Sequence, residues 1–330
     1  MEKIKIIIKF LIAKIINSLR PQYKIPEYYL QRHIKISSQQ YKELEISISN
    51  NYHTGWRAKE NYSLSSYQKD LEDHLYNRLE LDRKYIIPWL DSVKKLDGAS
   101  VLEIGCGTGS STVALAEQGA IVYGIDIDEG AIKVAIDRCR IYGVDSKLFV
   151  INSKYIDKYF NKENFDYILF FASLEHMTIS ERIESLTKAW EILKKDGILG
   201  IIETPNRLWF YDNHTSLLPF FHWLPDELAF RYSCFSKREN FSQRYKVLSD
   251  ENMETFLRQG RGFSYHEIEL AIGPIANLNV VSSLFEFKKK HGIGKYIKNE
   301  NKYKNILVNV YPDIPEAFFD KELNLLIKKV

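Results

Sequence analysis

Cysteine is scarce in this 330-residue chain: Cys106, Cys139 and Cys234 are odd in number and widely spaced. That pattern excludes a disulfide framework and fits a reducing compartment. No C-x-x-C pair is present, so no thiolate zinc site is expected. Charge of one sign is lacking too. Lys and Arg total 46 against 43 Asp and Glu, a formal +3, which gives a dedicated nucleic-acid binder no footing. Long apolar runs are missing as well. Lys9 and Lys14 break the opening stretch and no small-residue cleavage site follows it, so neither a spanning helix nor a signal peptide is expected. Internal repeats and low-complexity tracts are absent. What is there suits a globular cytoplasmic protein: 45% hydrophobic residues are ample for a core. At roughly 100–200 residues per domain, the length allows two units or one large α/β domain with additions.

The first unit is an arm over residues 1–60. Ile4, Ile7, Ile8, Leu11, Ile12, Ile15 and Leu19 form one helical stripe, with Lys5, Lys9, Asn17 and Arg20 opposite. Residues 1–24 hold six basic groups against Glu2 alone. Such a basic amphipathic helix over 1–20 has two readings: peripheral attachment at the inner face of a membrane, or packing on protein. Residues 27–60 show little period and read as an irregular stretch with a short strand at Leu44–Ile48.

Apolar residues recur at helical spacing from Leu71 to Leu90, and Asp97-Gly98 stops the helix. Val101–Ile104 is a buried-strand run, followed by Gly105-Cys106-Gly107-Thr108-Gly109 and a helix from Ser110. Ile121–Ile125 is a second strand ending in Asp126, before a helix over Glu129–Cys139. Strand, glycine turn, helix, strand and acid make the nucleotide-binding half of a doubly wound sheet. Glycines let the backbone turn sharply and approach a ligand. The helix N-terminus behind them favours an anionic group, and an acid at the tip of the second strand accepts the hydroxyls of a ribose. The dinucleotide pattern G-x-G-x-x-G would need glycine at Ser110, which counts against a nicotinamide oxidoreductase.

The pattern is instead E-x-G-x-G-x-G with Glu103 inside the strand, and VLEIGCGTG with VYGIDID strongly resembles the class I S-adenosylmethionine-dependent methyltransferases. Phe165–Phe171, Ser173–Met177 and Ala189–Gly197 resemble that family's later segments in the same order. The resemblance covers roughly residues 96–206. It implies a Rossmann-like, doubly wound seven-stranded α/β sheet with an antiparallel last strand, here LNLLIKKV, over residues 61–330. It also implies S-adenosylmethionine as cofactor. Glu103 and the backbone of Gly105, Cys106 and Gly107 should hold its methionine part. Asp126 should take the ribose hydroxyls and Ile127 should pack on the adenine. Asn152 or Ser153 stands where the family has an acid beside the adenine amino group, although Asn152 also reads as a cap of the next turn.

Methyl transfer from a sulfonium is an in-line displacement, so the protein aligns the acceptor and takes a proton from a hydroxyl. His176, beside Glu175, lies where a base is needed, with an unperturbed pKa of about 6.5; a structural role under the cofactor loop is its other reading. His214, among Asp212, Asn213 and Thr215, is the second base candidate, whereas His222 between Phe221 and Trp223 reads as packed core. Some relatives hold a divalent metal through Glu-x-x-Glu-His and a later histidine. Here Ala172 replaces the first Glu, so no metal is expected. Nine aromatics in residues 208–235 mark an inserted cover at about 207–262, read as walls for a lipid, a sugar face or a phenol, with some rings in a satellite core. The stretch from Thr204 to Pro225 is similar to a subgroup of cell-envelope glycan and glycolipid methyltransferases.

Beyond the cover, Ser264 and Glu267 form a capping box for a helix over Tyr265–Ile272, and Val280–Phe287 alternates like a sixth strand. Together these readings point to O-methylation of a sugar, glycolipid or other small hydroxyl acceptor. N-methylation of an amino sugar or small amine needs the same cofactor residues. A catalytically silent cofactor-binding partner protein is the reading from another class.

Overall fold

The computed structural model describes residues 32–162, 164–293 and 300–330. The amphipathic helix expected over 1–20, with both its readings, lies outside the described residues.

Seven strands form one sheet in the order β3-β2-β1-β4-β5-β7-β6. They are β1 (Ser100–Ile104), β2 (Ile121–Asp126), β3 (Ser146–Val150), β4 (Phe165–Phe171), β5 (Leu193–Pro205), β6 (Asn279–Ser283) and β7 (Glu322–Lys328). Pairings from β3 through to β5 are parallel, while β7 runs antiparallel to both β5 and β6. This is the Rossmann-like sheet with its last strand inserted against the rest, as anticipated. The central strands are buried on both faces, which is why β1 and β4 read as nearly continuous apolar runs.

Two cores result. On one face, Val101, Tyr167, Leu169 and Leu326 pack against Leu44, Ile48, Leu79, Trp89, Leu115 and Val134. On the other, Leu102, Ile168, Leu199 and Leu325 pack against Leu186, Ile192, Ile268 and Phe319. The switch point lies between β1 and β4, where the strand order reverses. The carboxyl ends of β1, β2, β4 and β5 therefore open a crevice of the kind that takes ligands in such sheets.

Two expectations are corrected. Residues 44–48 are not a strand: Ser38–Ser47 is an α-helix opened by a Ser37–Gln40 capping box and continued by a π-helical turn, Ile48–Tyr52. Leu44 and Ile48 stand four apart, one helical turn, and both are fully buried. The sixth strand ends at Ser283 and not at Phe287. There Ser283 caps a helix, Leu284–Lys290, with Glu286 closing the box, so the apolar residues Leu284 and Phe287 are buried from helical positions. The helix after the cover begins as expected from Ser264, with Glu267 three residues on, and spans Tyr265–Ala271.

Upstream of β1, residues 64–93 form one helical run with π-helical turns at Asp73–Asn77 and Asp82–Ile86. No helix among the described residues is long and apolar enough to cross a membrane.

Candidate functional site

A cavity of about 870 Å³ lies along the carboxyl edge of the sheet. Its first wall is the turn after β1. Gly105, Gly107 and Gly109 all have positive φ, at 82°, 50° and 81°. A Cβ on Gly105 would stand 2.5 Å from the Cβ of Ser173, so only glycine lets the turn pass under the loop after β4. Asp126, at the tip of β2, accepts the N–H of Gly107 at 2.9 Å through one oxygen and that of Asp128 at 2.9 Å through the other. Burial raises this carboxyl, and those two N–H groups work against the rise. Cys106 contributes backbone only to chemistry: its thiol is buried and pushed well up by desolvation.

Glu103 does not line the cavity, contrary to the role expected of it. It is fully buried inside β1, where its carboxylate accepts the hydroxyls of Ser111 and Thr112. It therefore ties the following helix to the strand and shapes the glycine turn from behind. Burial pushes its carboxyl up to about 7.

At the opposite rim, Ile127 is 58% exposed and free to lie against a flat ring. Asn152 lines the cavity, and its side chain caps the next turn by accepting the N–H of Lys154 at 3.1 Å. Ser153 is buried, and its hydroxyl meets that of Ser185 at 2.7 Å, which leaves Asn152 the freer of the pair.

The other end of the cavity sits beyond β4 and β5. Ala172 and Glu203, both on the cavity wall, hold left-handed backbone at φ 40° and 56°, a strain that accumulates at functional sites. Next to them Glu175 is fully buried, and both of its carboxylate oxygens lack a hydrogen-bond partner. Desolvation pushes its carboxyl up to about 8. The Nε2 atoms of His176 and His214 stand 3.9 and 3.8 Å from Glu175 Oε1. The Nδ1 of His176 meets the carbonyl of Arg258 at 2.8 Å, which makes Nδ1 the protonated nitrogen and leaves the Nε2 lone pair free. The His176 ring is 44% accessible, yet the accessible side looks into the cavity, so desolvation still lowers its pKa. Desolvation, then neighbouring His176, lowers His214 to about 4. Glu175, His176 and His214 form a set able to hold a metal ion, with one ligand atom from each lying within 4.8 Å of the others. His222 is packed core as read: it is buried, it accepts the Gly262 N–H at Nδ1, and Nε2 lies 3.3 Å from Asp212.

Among the described residues, the cover turns no Phe, Tyr or Trp ring toward the cavity, contrary to the walls expected of it. Phe221, Phe230, Phe241, Tyr245 and Phe256 pack on one another in a small third core. The cover faces the cavity with His214, Arg244, Glu254, Thr255, Arg258 and Gln259. Of the nine aromatics in 208–235, Phe221 and Phe230 join that core and Tyr232 packs on it, Trp209 and Phe210 pack on Tyr303, and Phe220, Trp223 and Phe235 stay exposed.

Sequence reasoning missed one wall. Tyr52, Arg57, His74, Arg78 and Asp82 reach the cavity from the helices before β1. The Arg57 guanidinium lies 4.2 Å over the Tyr52 ring and pairs with Asp128. His74 Nδ1 meets Thr108 Oγ1 at 3.0 Å, and buried Arg138 donates to the carbonyls of His74, Leu75 and Thr108. A signal was present. His74, Arg78 and Asp82 recur every fourth residue beside the apolar stripe, a spacing that lines one helical face but that the solvated face of any amphipathic helix also shows.

Residues 101–197 match the methyltransferase domain family. The chain is 26% identical over 131 residues to a protein of Geobacillus sp. (strain WCH70) named as a methyltransferase, a match covering 38% of this chain and 52% of that protein. A ubiquinone biosynthesis O-methyltransferase of Leptothrix cholodnii is 44% identical over 63 residues, covering 19% of this chain and 24% of its own length. The matched part thus spans about half or less of these two relatives. A solved SAM-dependent methyltransferase from Methanosarcina mazei aligns with 71% of this chain and 93% of its own at 17% identity and a TM-score of 0.39. The methyltransferase-domain match falls on the stretch that holds the glycine turn, Asp126 and strands β1 to β4.

Proposed function

We propose that this chain transfers the methyl group of S-adenosylmethionine to a hydroxyl of a small, polar acceptor, with a sugar as the best-fitting class. One observation carries the reading. The cavity has a nucleoside-holding end at Gly105–Gly107 and Asp126. At its far end are Glu175, His176 and His214, under a cover whose inner face is polar. An acceptor rich in hydroxyls finds donors and acceptors in Arg258, Gln259, Thr255 and Glu254, whereas a lipid tail would lie against this polar face with no apolar partner.

Within this reading the residues divide the work. Asp126 and the glycine-turn N–H groups orient the nucleoside, whose sulfonium supplies an already activated methyl. The strained turns at Ala172 and Glu203 aim the acceptor end at it. The imidazole of His176, whose Nε2 lone pair is free, takes up the proton that the hydroxyl must lose, with His214 beside it as the weaker base. N-methylation of an amino sugar stays the second reading, favoured by the acid Glu203 on the cavity wall, which suits an ammonium.

Radiolabelled methyl transfer into a lysate, partitioned into lipid, glycan, small-molecule and protein fractions, tests the proposal. Label in the water-soluble glycan or small-molecule fraction, stable to acid as an ether, supports it. Label confined to lipid or protein overturns it. Label on nitrogen replaces it with the second reading.

A further inference from the structure

The buried carboxylate of Glu175 has no partner that the proposed chemistry needs, and a fully buried acid without one costs several kcal/mol. Two explanations satisfy it: a proton kept on the carboxyl, or a cation beside it. The geometry favours the second. A carboxylic acid relieves itself by donating to a nearby nitrogen, but both available Nε2 atoms stand at 3.8 and 3.9 Å, outside hydrogen-bond reach. For a shared ion these separations are close to ideal. At ligand distances of about 2.1 Å, two ligands of one tetrahedral ion lie about 3.4 Å apart, so each imidazole needs to move about half an ångström relative to Glu175, and the three ligand atoms, all within 4.8 Å of one another, need to draw together around the ion.

The atoms around the three groups are also arranged as ligand supports. The His176 Nδ1–H is taken by the Arg258 carbonyl at 2.8 Å, and His214 Nδ1 meets Thr215 Oγ1 at 3.1 Å. Each ring is thereby oriented with Nε2 toward Glu175, as outer partners orient metal-bound imidazoles. The ligands also come from two different parts of the chain. Glu175 and His176 belong to the loop after β4, whereas His214 belongs to the outgoing leg of the insertion.

We infer that Glu175, His176 and His214 bind a divalent cation that latches the cover to the methyltransferase core. The donor set, two imidazoles and one carboxylate, suits a borderline ion such as Zn²⁺ and suits Mg²⁺ poorly. Ala172, which removed a carboxylate from the pattern expected of a metal-binding relative, does not matter to this set: His214, supplied by the cover, completes three protein ligands and leaves coordination positions open toward the cavity. The inference rests on the proposed function only in taking this as the acceptor end of the cavity, and it replaces the imidazole base there, because the ion would occupy the Nε2 lone pairs of both rings.

The test uses the full chain stripped with chelator. Co²⁺ titration should give a visible d–d absorption band with one ion per chain, displaced by Zn²⁺. His214→Ala and Glu175→Gln should each weaken binding about 100-fold or more, while His222→Asn, outside the set, should bind as the unaltered chain does. Limited proteolysis within 207–262 should slow on Zn²⁺ addition, and that protection should vanish in His214→Ala. Binding of S-adenosylmethionine by calorimetry, retained in each variant, shows that the fold survives. No Co²⁺ band at millimolar metal, or a band indifferent to His214→Ala, overturns the site. Binding without protection overturns the latch. A chain that binds metal but no S-adenosylmethionine would instead sink the methyltransferase reading and leave the metal site standing.

Discussion

The rings of His176 and His214 stand 5.8 Å apart, although one follows β4 and the other lies inside the insertion after β5. Their meeting point lies over the buried carboxylate of Glu175, with both Nε2 atoms within 4 Å of its Oε1.

At the other end of the cavity the decisive residue is Asp126. Its two oxygens are already oriented by Gly107 and Asp128 N–H groups, which leaves outward lone pairs for a ribose diol. Asp126→Ala removes charge-assisted hydrogen bonds of about 1.5–3 kcal/mol each. Calorimetry should show S-adenosylmethionine binding at least about 10-fold weaker. Unchanged affinity would mean that the nucleoside lies elsewhere.

Arg57 should matter to the cofactor although it lies far upstream of the glycine turn. It stacks on Tyr52 and pairs with Asp128 on the cavity wall. Arg57→Ala should raise the dissociation constant for S-adenosylmethionine several-fold with little change in melting temperature, because the pair is partly exposed. A large stability loss with unaltered affinity would assign Arg57 to folding alone.

Glu103 makes stability depend on pH. Its carboxyl is raised by burial from about 4.5 to about 7, so the folded chain holds the proton more tightly than the unfolded one. Its contribution is then fully present below pH 4.5 and is lost as the pH rises through 7, on the order of 3 kcal/mol in all. Glu103→Gln keeps a partner for Ser111 and Thr112 and cannot ionise. Denaturant midpoints across this window should fall less steeply with pH in the variant; parallel curves would refute the assignment.

Phe256 tests the role of the cover's aromatics. It is buried against Phe230 and Tyr245, each 5.2 Å away, and does not line the cavity. Phe256→Ala should cost about 3–5 kcal/mol locally, seen as faster amide exchange across the cover. Affinity for S-adenosylmethionine should stay within a factor of about two, since no cofactor contact is removed. Unchanged exchange with a poorer acceptor KM would restore the aromatic-wall reading.

How much of this was legible beforehand depended on distance along the chain. The turn at Gly105–Gly109 and the place of Asp126 at the tip of β2 were readable because both lie within one βαβ unit, where spacing alone sets geometry. His176 and Glu175 were found through neighbouring residues in the same motif. Leu44 and Ile48 were misread because a stripe of two residues cannot separate period 2 from period 3.6 without the partner surface. The rings of the cover were assigned to the acceptor because composition records how many aromatics there are and not which way they face.

By itself, then, the order of residues determined the doubly wound sheet, its antiparallel last strand and the cofactor end of the cavity, since local pattern and short connections leave few other arrangements. Only the tertiary structure decided that Glu103 braces the turn from inside, that Arg57, Arg78 and Asp82 line the cavity, and that His214 joins Glu175. Those outcomes depend on which surfaces meet when the insertion and the upstream helices pack, and contacts between distant segments leave no period in the sequence from which to read them.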